Sequence, residues 1–436
     1  MPRRHPGTPR LLRQLNDRAA LELLLSEGPL TRAELGEHTG LSKVTSGQLL
    51  ARLEERGLVA VSGERPGGRG PNAALYAVVP GSAYVAGLEV LPDSVTAGVA
   101  DITGEMIAEV TVDPCETGEP VKTVHSAVRR ACDSAGVSLS RLRALVIGTR
   151  GVVDPRTGDV RFSFDLPSWH AGVLADLRAA LGSSVMIEND VNLAALAEHS
   201  YGAARGIDDF VLVWAGVGQG LGVMLGSRLH RGFTGGAGEI GWLPVPGEPL
   251  PIDVTEPQSG SFQRLVGTAA VTGLAAAHGI PGFSSDALLP LGTGGSDGPA
   301  GSAGSAGSSM KGAFNGQAPF TSPGPSGPPA TAAEIVRTAV EAGRDGFLDE
   351  LARRLAIGVA AVTVVLDPGL IVLSGDVGRA GGLALARRVE EAVAQICPSR
   401  PRVTVTGVEG NPVLRGAVMA ALGPAREEVF ASTVDG

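Results

Sequence analysis

The chain has 436 residues, which at roughly 150 per domain allows two or three domains with a sizeable core. Apolar residues make up 43%, yet no unbroken apolar run reaches 18, and Cys115, Cys132 and Cys397 lie far apart, so no transmembrane helix is expected and a disulfide framework and a CxxC metal pair are excluded. The net charge of −9 excludes a general nucleic-acid coat protein. That average hides an asymmetry: residues 1–72 carry a net +3 and the remainder −12. A basic head on an acidic body is expected to meet a polyanion through the head alone, unless the head is only a solvated tail. The basic start MPRRHPGTPR is followed by no apolar signal core, so a cytoplasmic chain is expected.

In the head, Leu11, Leu12, Leu15, Ala19 and Leu23 recur at helical spacing and predict a helix to about Leu25. Gly28 and Pro29 break it, and Thr31 with Glu34 forms a capping box for a short helix over Arg32–His38. Ser42 caps a third helix, whose Leu49, Leu50 and Leu53 point inward, ending at Gly57. Two short strands, Leu58–Val61 and Ala74–Val78, flank a loop carrying Arg65 and Arg69. This is a helix-turn-helix with a wing, and the third helix would present Ser42, Lys43, Thr45 and Gln48 to double-stranded DNA. Gln pairs with adenine and Lys with guanine, while Arg69 in the wing would reach phosphates or the minor groove. The plainer alternative is a winged helix used for protein contacts. The run GLSKVTSGQLLARLEERGLV resembles the winged-helix repressors, save that Ser46 stands where those carry an apolar residue, so looser packing is expected there.

From Tyr84 onward apolar strands alternate with Ala-rich helices, an α/β pattern. Strands are expected at Val85–Val90, Val95–Asp101, Met106–Val112, Ala144–Gly148 and Val185–Ile187, with helices at about Val121–Ala135 and Val191–His199. A glycine-turned strand pair follows in FVLVWAGVGQGLGVMLG, then a helix over Leu351–Val365 and a strand over Leu370–Leu373.

The blocks IGTRGVVDPRTGDV, DLPSW, VMIENDVNLAALAE, GVGQGLGVMLG, GGAGEIGW and LARRLAIGVAAVTVVLDPGLIVLSGDV stand in the order of the ROK family, which the chain resembles over about 84–280 and 331–424. The family groups bacterial repressors with sugar kinases. The resemblance implies an α/β fold: an N-terminal winged helix-turn-helix over 10–80, then a two-lobed actin-like ATPase (sugar-kinase) fold. The first lobe would span 81–191, with 411–425 returning to it, and the second 192–410. It also implies a sugar or sugar-derivative effector between the lobes, held by Asp165, Asn189, Asp190, Glu239 and Gln263. Asn189 and Asp190 are equally suited to capping the next helix.

Three departures from the family pattern bear on activity. Where its kinases carry a DxGGTK-type phosphate turn, this chain has GLEVLPDSVTAG, so Leu91-Pro92-Asp93 replaces the glycines beside Glu89. Phosphoryl transfer depends on positioning and charge stabilisation at that turn, so a non-enzyme without a cofactor is expected. The family's structural zinc is not expected either, because Trp242 stands at its histidine and no cysteine lies between Cys132 and Cys397. Asp165 and Gln263 replace the usual Asn and Glu and still offer hydrogen bonds to hydroxyls.

Between Leu291 and Ala330, 30 of 40 residues are Gly, Ser, Pro or Ala, so the insert over about 285–330 is expected to be a disordered loop inside the second lobe. The leading expectation is a sugar-responsive repressor binding an inverted-repeat operator as a homodimer or higher homo-oligomer. The alternatives are an ATP-dependent sugar kinase with an appended head, in which Asp190 would be the base, and a regulator that answers only to a partner protein.

Overall fold

A computed structural model describes residues 9–66, 72–116, 119–163, 172–182, 184–251, 253–254, 260–280 and 331–431. The head consists of α1 (Pro9–Glu27), β1 (Leu30–Thr31), α2 (Arg32–Thr39), α3 (Lys43–Glu55), β2 (Val59–Arg65) and β3 (Ala73–Val78). The capping box is present: the Glu34 amide donates to the Thr31 hydroxyl at 3.3 Å, and the Thr31 amide to the Glu34 carboxylate at 2.9 Å. Ser42 caps α3, accepting from the Thr45 amide at 3.2 Å. Leu49, Leu50 and Leu53 of α3 pack with Leu21 and Leu24 of α1 and Leu35 of α2.

Two features of the wing differ from expectation. β3 is the central strand of a three-stranded sheet, β1-β3-β2, because Leu30 and Thr31 pair with Tyr76 and Leu75. Two residues are too few to show a strand period. β2 runs on to Arg65 rather than ending at Val61, past an irregularity between Val61 and Gly63. Beyond Val59 the whole strand is exposed, so it carries no apolar alternation to read.

The first lobe contains β4 (Tyr84–Val90), β5 (Val95–Asp101), β6 (Met106–Val112), α4 (Pro120–Ala135), β7 (Leu142–Thr149), the short pair β8 (Val152–Val153) and β9 (Val160–Arg161), α5 (Val173–Leu181) and β10 (Ser184–Asn189). Its sheet order is β10-β7-β4-β5-β6, an antiparallel meander extended by two parallel strands. Ala127, Val128 and Ala131 of α4 and Leu174 and Leu177 of α5 cover one face. Helix α6 (Asp190–Tyr201) follows β10 directly.

The second lobe repeats this plan with β11 (Phe210–Ala215), β12 (Gln219–Leu225), β13 (Arg228–Leu229), α7 (Ser261–Val266), α8 (Thr268–Ala277), α9 (Ala332–Glu341), α10 (Asp345–Leu366), β14 (Leu370–Ser374), α11 (Gly375–Ile396) and β15 (Arg402–Val405). The order is β13-β12-β11-β14-β15, with β14 and β15 parallel to β11. The low-complexity insert lies outside the described residues.

The last helix, α12 (Pro412–Ala431), returns to the first lobe and packs on the other face of its sheet. It runs past residue 425. Ala417, Val418 and Ala421 of α12 cover Val85 and Val146, while Ala425 and Phe430 belong to the same apolar cluster as Leu21 and Leu24 of the head. Head and first lobe therefore share one continuous core.

Candidate functional site

Helix α3 exposes Lys43, Val44, Thr45 and Gln48 on one face, with Leu49, Leu50 and Leu53 buried on the other. Among the described residues, no hydrogen bond or ion pair engages Lys43 or Gln48, so both side chains are available to bases. Ser42 is committed to its cap, and its hydroxyl also bonds that of Thr45 at 2.9 Å. Arg69 lies outside the described residues. The wing's other arginine, Arg65, is ion-paired to Glu34, the carboxylate that closes the α2 capping box.

The looser packing expected at Ser46 is not found. Ser46 is fully buried, and its hydroxyl donates to the Ser42 carbonyl at 3.1 Å. A backbone acceptor thus satisfies the polar atom that an apolar residue would not have brought.

Sequence reasoning missed Arg32. Its Nη1 lies 3.5 Å from where a β-carbon on Gly47 would stand, so the side chain lies against α3 at that glycine. Among the described residues it has no ion pair. With Lys43, Asn72 and Tyr76 it lines a groove of about 690 Å³ between α2 and the wing, which also contains the carboxylate of Glu37. The available signal was a basic residue directly after an N-cap, where a helix start faces phosphates in such folds.

The second constellation lies where the ends of β4, β7 and β10 meet the start of α6. Asn189 caps α6: its Oδ1 accepts from the Asn192 amide at 3.0 Å, and its Nδ2 donates to the Gly151 carbonyl at 3.0 Å. Asp190 is buried at the first position of the helix and accepts from the Val191 amide at 2.9 Å. Burial pushes its carboxyl up to about 7, opposed by the Arg150 guanidinium and assisted by the charges of Glu89 and Glu239. Glu239 is half-buried before the turn Ile240–Trp242, and burial raises its carboxyl too. Glu89, at the end of β4, is raised by burial, while an Asn411 hydrogen bond at 2.5 Å and Arg150 act the other way. Asp190 thus feels the charges of Glu89, Glu239 and Arg150, and Arg150 acts on Glu89 as well.

The remaining candidates are placed differently. Asp165 lies outside the described residues. Gln263 is buried, and its Nε2 donates to the Val217 carbonyl at 2.7 Å, which braces the glycine turn between β11 and β12. Arg150 was missed, although an arginine just past a buried strand such as ALVIGT emerges at the carboxyl edge of a sheet, where α/β folds bind ligands. The lobes also touch directly: Arg231 of the second donates to Glu188 of the first at 2.5 Å, and the Arg156 guanidinium lies 5.0 Å from the centre of the Phe233 ring.

The turn between β4 and β5 closes with the Leu91 amide donating to the Ser94 carbonyl at 2.9 Å, and none of Leu91–Ser94 has a positive φ. It lacks the alternating conformation that turns successive amides toward an anion. Nor do the residues present fit a thiolate zinc site. Cys132 is buried in the first lobe and Cys397 lies singly in the apolar core of the second, and the described residues contain no cluster of three or more metal-ligating side chains. The segment after Trp242 is held instead by the Phe262 amide on the Leu243 carbonyl at 3.1 Å and the Ser261 hydroxyl on the Pro249 carbonyl at 2.9 Å.

A model of the ROK family matches residues 85–423. The chain belongs to the ROK family. A model of the MarR family matches the head, residues 14–70. Among curated proteins, this ROK chain is 26% identical over 246 residues to the DNA-binding transcriptional dual regulator NagC of Escherichia coli K12, covering 56% of this chain and 60% of that one. It is likewise 26% identical over 245 residues to the xylose repressor of Bacillus subtilis 168, covering 54% and 61%. The matches therefore span about 60% of the length of these relatives. Among solved structures, a ROK family transcriptional regulator described as a homolog of the E. coli MLC protein superposes with a TM-score of 0.69 at 16% identity, covering 98% of this chain and all of that one. The ROK hexokinase from Thermus thermophilus gives 0.55 at 24% identity, covering 78% and 97%. Both likenesses establish the fold. No helix among the described residues is long and apolar enough to cross a membrane.

Proposed function

We propose that this ROK chain is a DNA-binding transcriptional repressor whose operator affinity is set by a sugar or sugar derivative bound between the lobes. The observation that carries this reading is the exposed, unengaged face of α3, Lys43 and Gln48 with Arg32 beside them, on a helix held rigid by its Ser42 cap and its leucine core. Double-stranded DNA is the partner this face suits, and a homodimer or higher homo-oligomer would present two such faces to an inverted repeat. The named relatives are a transcriptional regulator and a sugar-named repressor, which supports both halves of the reading.

In this reading the cleft binds without catalysing. Asp190 retains the chemistry of a base, which is what the kinase alternative has in its favour. At Leu91–Ser94 the Leu91 amide is spent on the Ser94 carbonyl and Pro92 has none, so fewer backbone donors remain for a transferred phosphate, which favours the regulator. The chain would act in the cytoplasm and need no cofactor.

The experiment is selection of a duplex from a random pool by the full chain, followed by titration with N-acetylglucosamine, xylose and a wider sugar panel, and a coupled ATP assay on the same sugars. Selection of an inverted repeat whose affinity one sugar changes, with no ADP released, is the expected result. Sugar-dependent ADP release would replace this reading with the kinase. Failure to enrich any duplex would remove the DNA-binding role.

A further inference from the structure

Helix α12 touches both the cleft and the head. Its 20 residues span about 30 Å at 1.5 Å per residue. At its start, Asn411 makes two different hydrogen bonds. Its Oδ1 accepts from the Leu414 amide at 3.0 Å and so caps the helix, while its Nδ2 donates to Glu89 at 2.5 Å. The charge of Glu89 acts on Asp190, and that of Arg150 acts on both.

The same end of α12 is tied to the second lobe. Arg379 of α11 donates to the Gly410 carbonyl at 3.3 Å. The preceding segment is held by the buried Glu198 of α6, which accepts from the Thr406 hydroxyl and the Gly407 amide. Farther along, Gly416 lies so close to α6 that a β-carbon there would stand 1.8 Å from the Leu193 carbonyl. Any shift of one lobe on the other, or of α6 about Asp190, therefore displaces the start of α12.

The other end reaches the head. Arg426 donates to the Ile102 carbonyl at 3.1 and 3.0 Å and to that of Thr103 at 3.2 Å, which fixes α12 to the first lobe just before it enters the head. Beyond it, Phe430 packs in the cluster that contains Leu21 and Leu24. A groove of about 350 Å³, lined by Arg18, Glu22 and Leu25 of α1 and Gly423, Arg426 and Phe430 of α12, marks where the two helices part. Pro424 lies in that stretch and donates no backbone bond to the preceding turn of the helix.

We propose that Asn411 is the residue through which the state of the cleft reaches the DNA-binding head, its hydrogen bond to Glu89 setting the position of α12 and α12 setting that of the head. This rests on the reading of the chain as a DNA-binding regulator. A ligand that draws Glu89 toward its own hydroxyls competes with Asn411 for the same carboxylate. The helix then gains a second position, which is what coupling between two sites requires.

The test uses the full chain with Asn411→Asp, which keeps an oxygen to cap α12 and replaces the donor to Glu89 by a repelling carboxylate. Glu89→Gln, which leaves the cap untouched, is the second variant. Amide exchange is followed in every element without any ligand, and affinity is measured for a duplex selected by the wild-type chain. In Asn411→Asp, exchange in α1 and over residues 425–431 should rise by about fivefold or more, and duplex affinity should change on the same scale, the lower end of usual allosteric couplings. Glu89→Gln should move both in the same direction by less, and β11 and β14 should keep the wild-type rates in either variant. Unchanged exchange in α1 in both variants would overturn the proposal and leave Asn411 as a helix cap. A rise spread equally over β11 and β14 would overturn it too, as general loss of stability. If the wild-type chain enriches no duplex, the regulator reading fails while the exchange experiment still decides the link.

Discussion

The Ser46 hydroxyl of α3 lies 2.9 Å from the point where a β-carbon on Gly36 of α2 would stand, with the Leu41 carbonyl at 3.1 Å from the same point. The turn of the helix-turn-helix is therefore closed by a glycine against a serine. Gly36→Ala should destabilise the head by about 1–3 kcal/mol, the usual cost of overpacking. Ser46→Ala removes one of the two crowding atoms, so the double variant should be more stable than Gly36→Ala alone. Urea unfolding of the four proteins checks this as a cycle, and strict additivity would show that the two residues do not press on each other.

Arg32 and Arg65 are both arginines of the head, yet only Arg32 is unengaged. Arg32→Ala should weaken binding to all duplexes alike and reduce the slope of log K against log salt by about 0.9, one phosphate's worth. Arg65→Ala should leave that slope nearly unchanged and cost about 0–1 kcal/mol of stability, as an exposed ion pair does. Lys43→Ala and Gln48→Ala should lose affinity for the selected sequence more than for random DNA. A salt titration on both duplexes reads all four variants.

Asp190 should make stability fall as pH rises. Its carboxyl is raised from the usual carboxylate range to about 7, so below about 4 both folded and unfolded chains hold the proton and its contribution is complete. Between about 4 and 7 the unfolded chain loses the proton first, and the contribution is lost as pH passes through 7. Asp190→Asn should remove this dependence and unfold at higher urea than the wild type at pH 8, as measured by denaturation from pH 4 to 8. Parallel curves for the two proteins would contradict the raised carboxyl.

The same variant probes the ligand. Asp190→Asn should bind the selected duplex as the wild type does but lose most of its response to whichever sugar changes wild-type affinity. Couplings of this kind amount to about 5–150-fold. An undiminished response would place Asp190 outside the ligand site, as part of the α6 terminus alone.

Removing residues 292–329 should leave folding and duplex binding intact. The flanking elements carry their own restraints: Ile280 is buried after α8, and Thr331 with Glu334 forms a complete capping box at the start of α9. A thermal melt and a duplex titration on the shortened chain decide it, and a melting temperature lowered by many degrees would contradict it.

Much of the architecture was legible because it is written locally. The Thr31–Glu34 box, the Ser42 cap and the leucine spacing of α3 each occupy a few consecutive residues, and the structure reproduces them. The same holds for β4, β5 and β7, whose continuous apolar runs reflect burial on both faces. β1 was not legible, since a two-residue strand exists only because β3 lies beside it.

The sequence by itself determined the winged helix, the two α/β lobes, the family and the short-range caps, because hydrophobic period and capping chemistry act over one or two helical turns. Tertiary structure alone decided which polar side chains remain free. Arg65 and Gln263 are engaged and Arg32 is not, since each outcome depends on a partner tens of residues away. The same holds for the meeting of Glu89 and Asn411, which stand 322 positions apart. No local pattern specifies that contact; it arises because α12 folds back onto β4 and delivers an amide to a half-buried carboxylate.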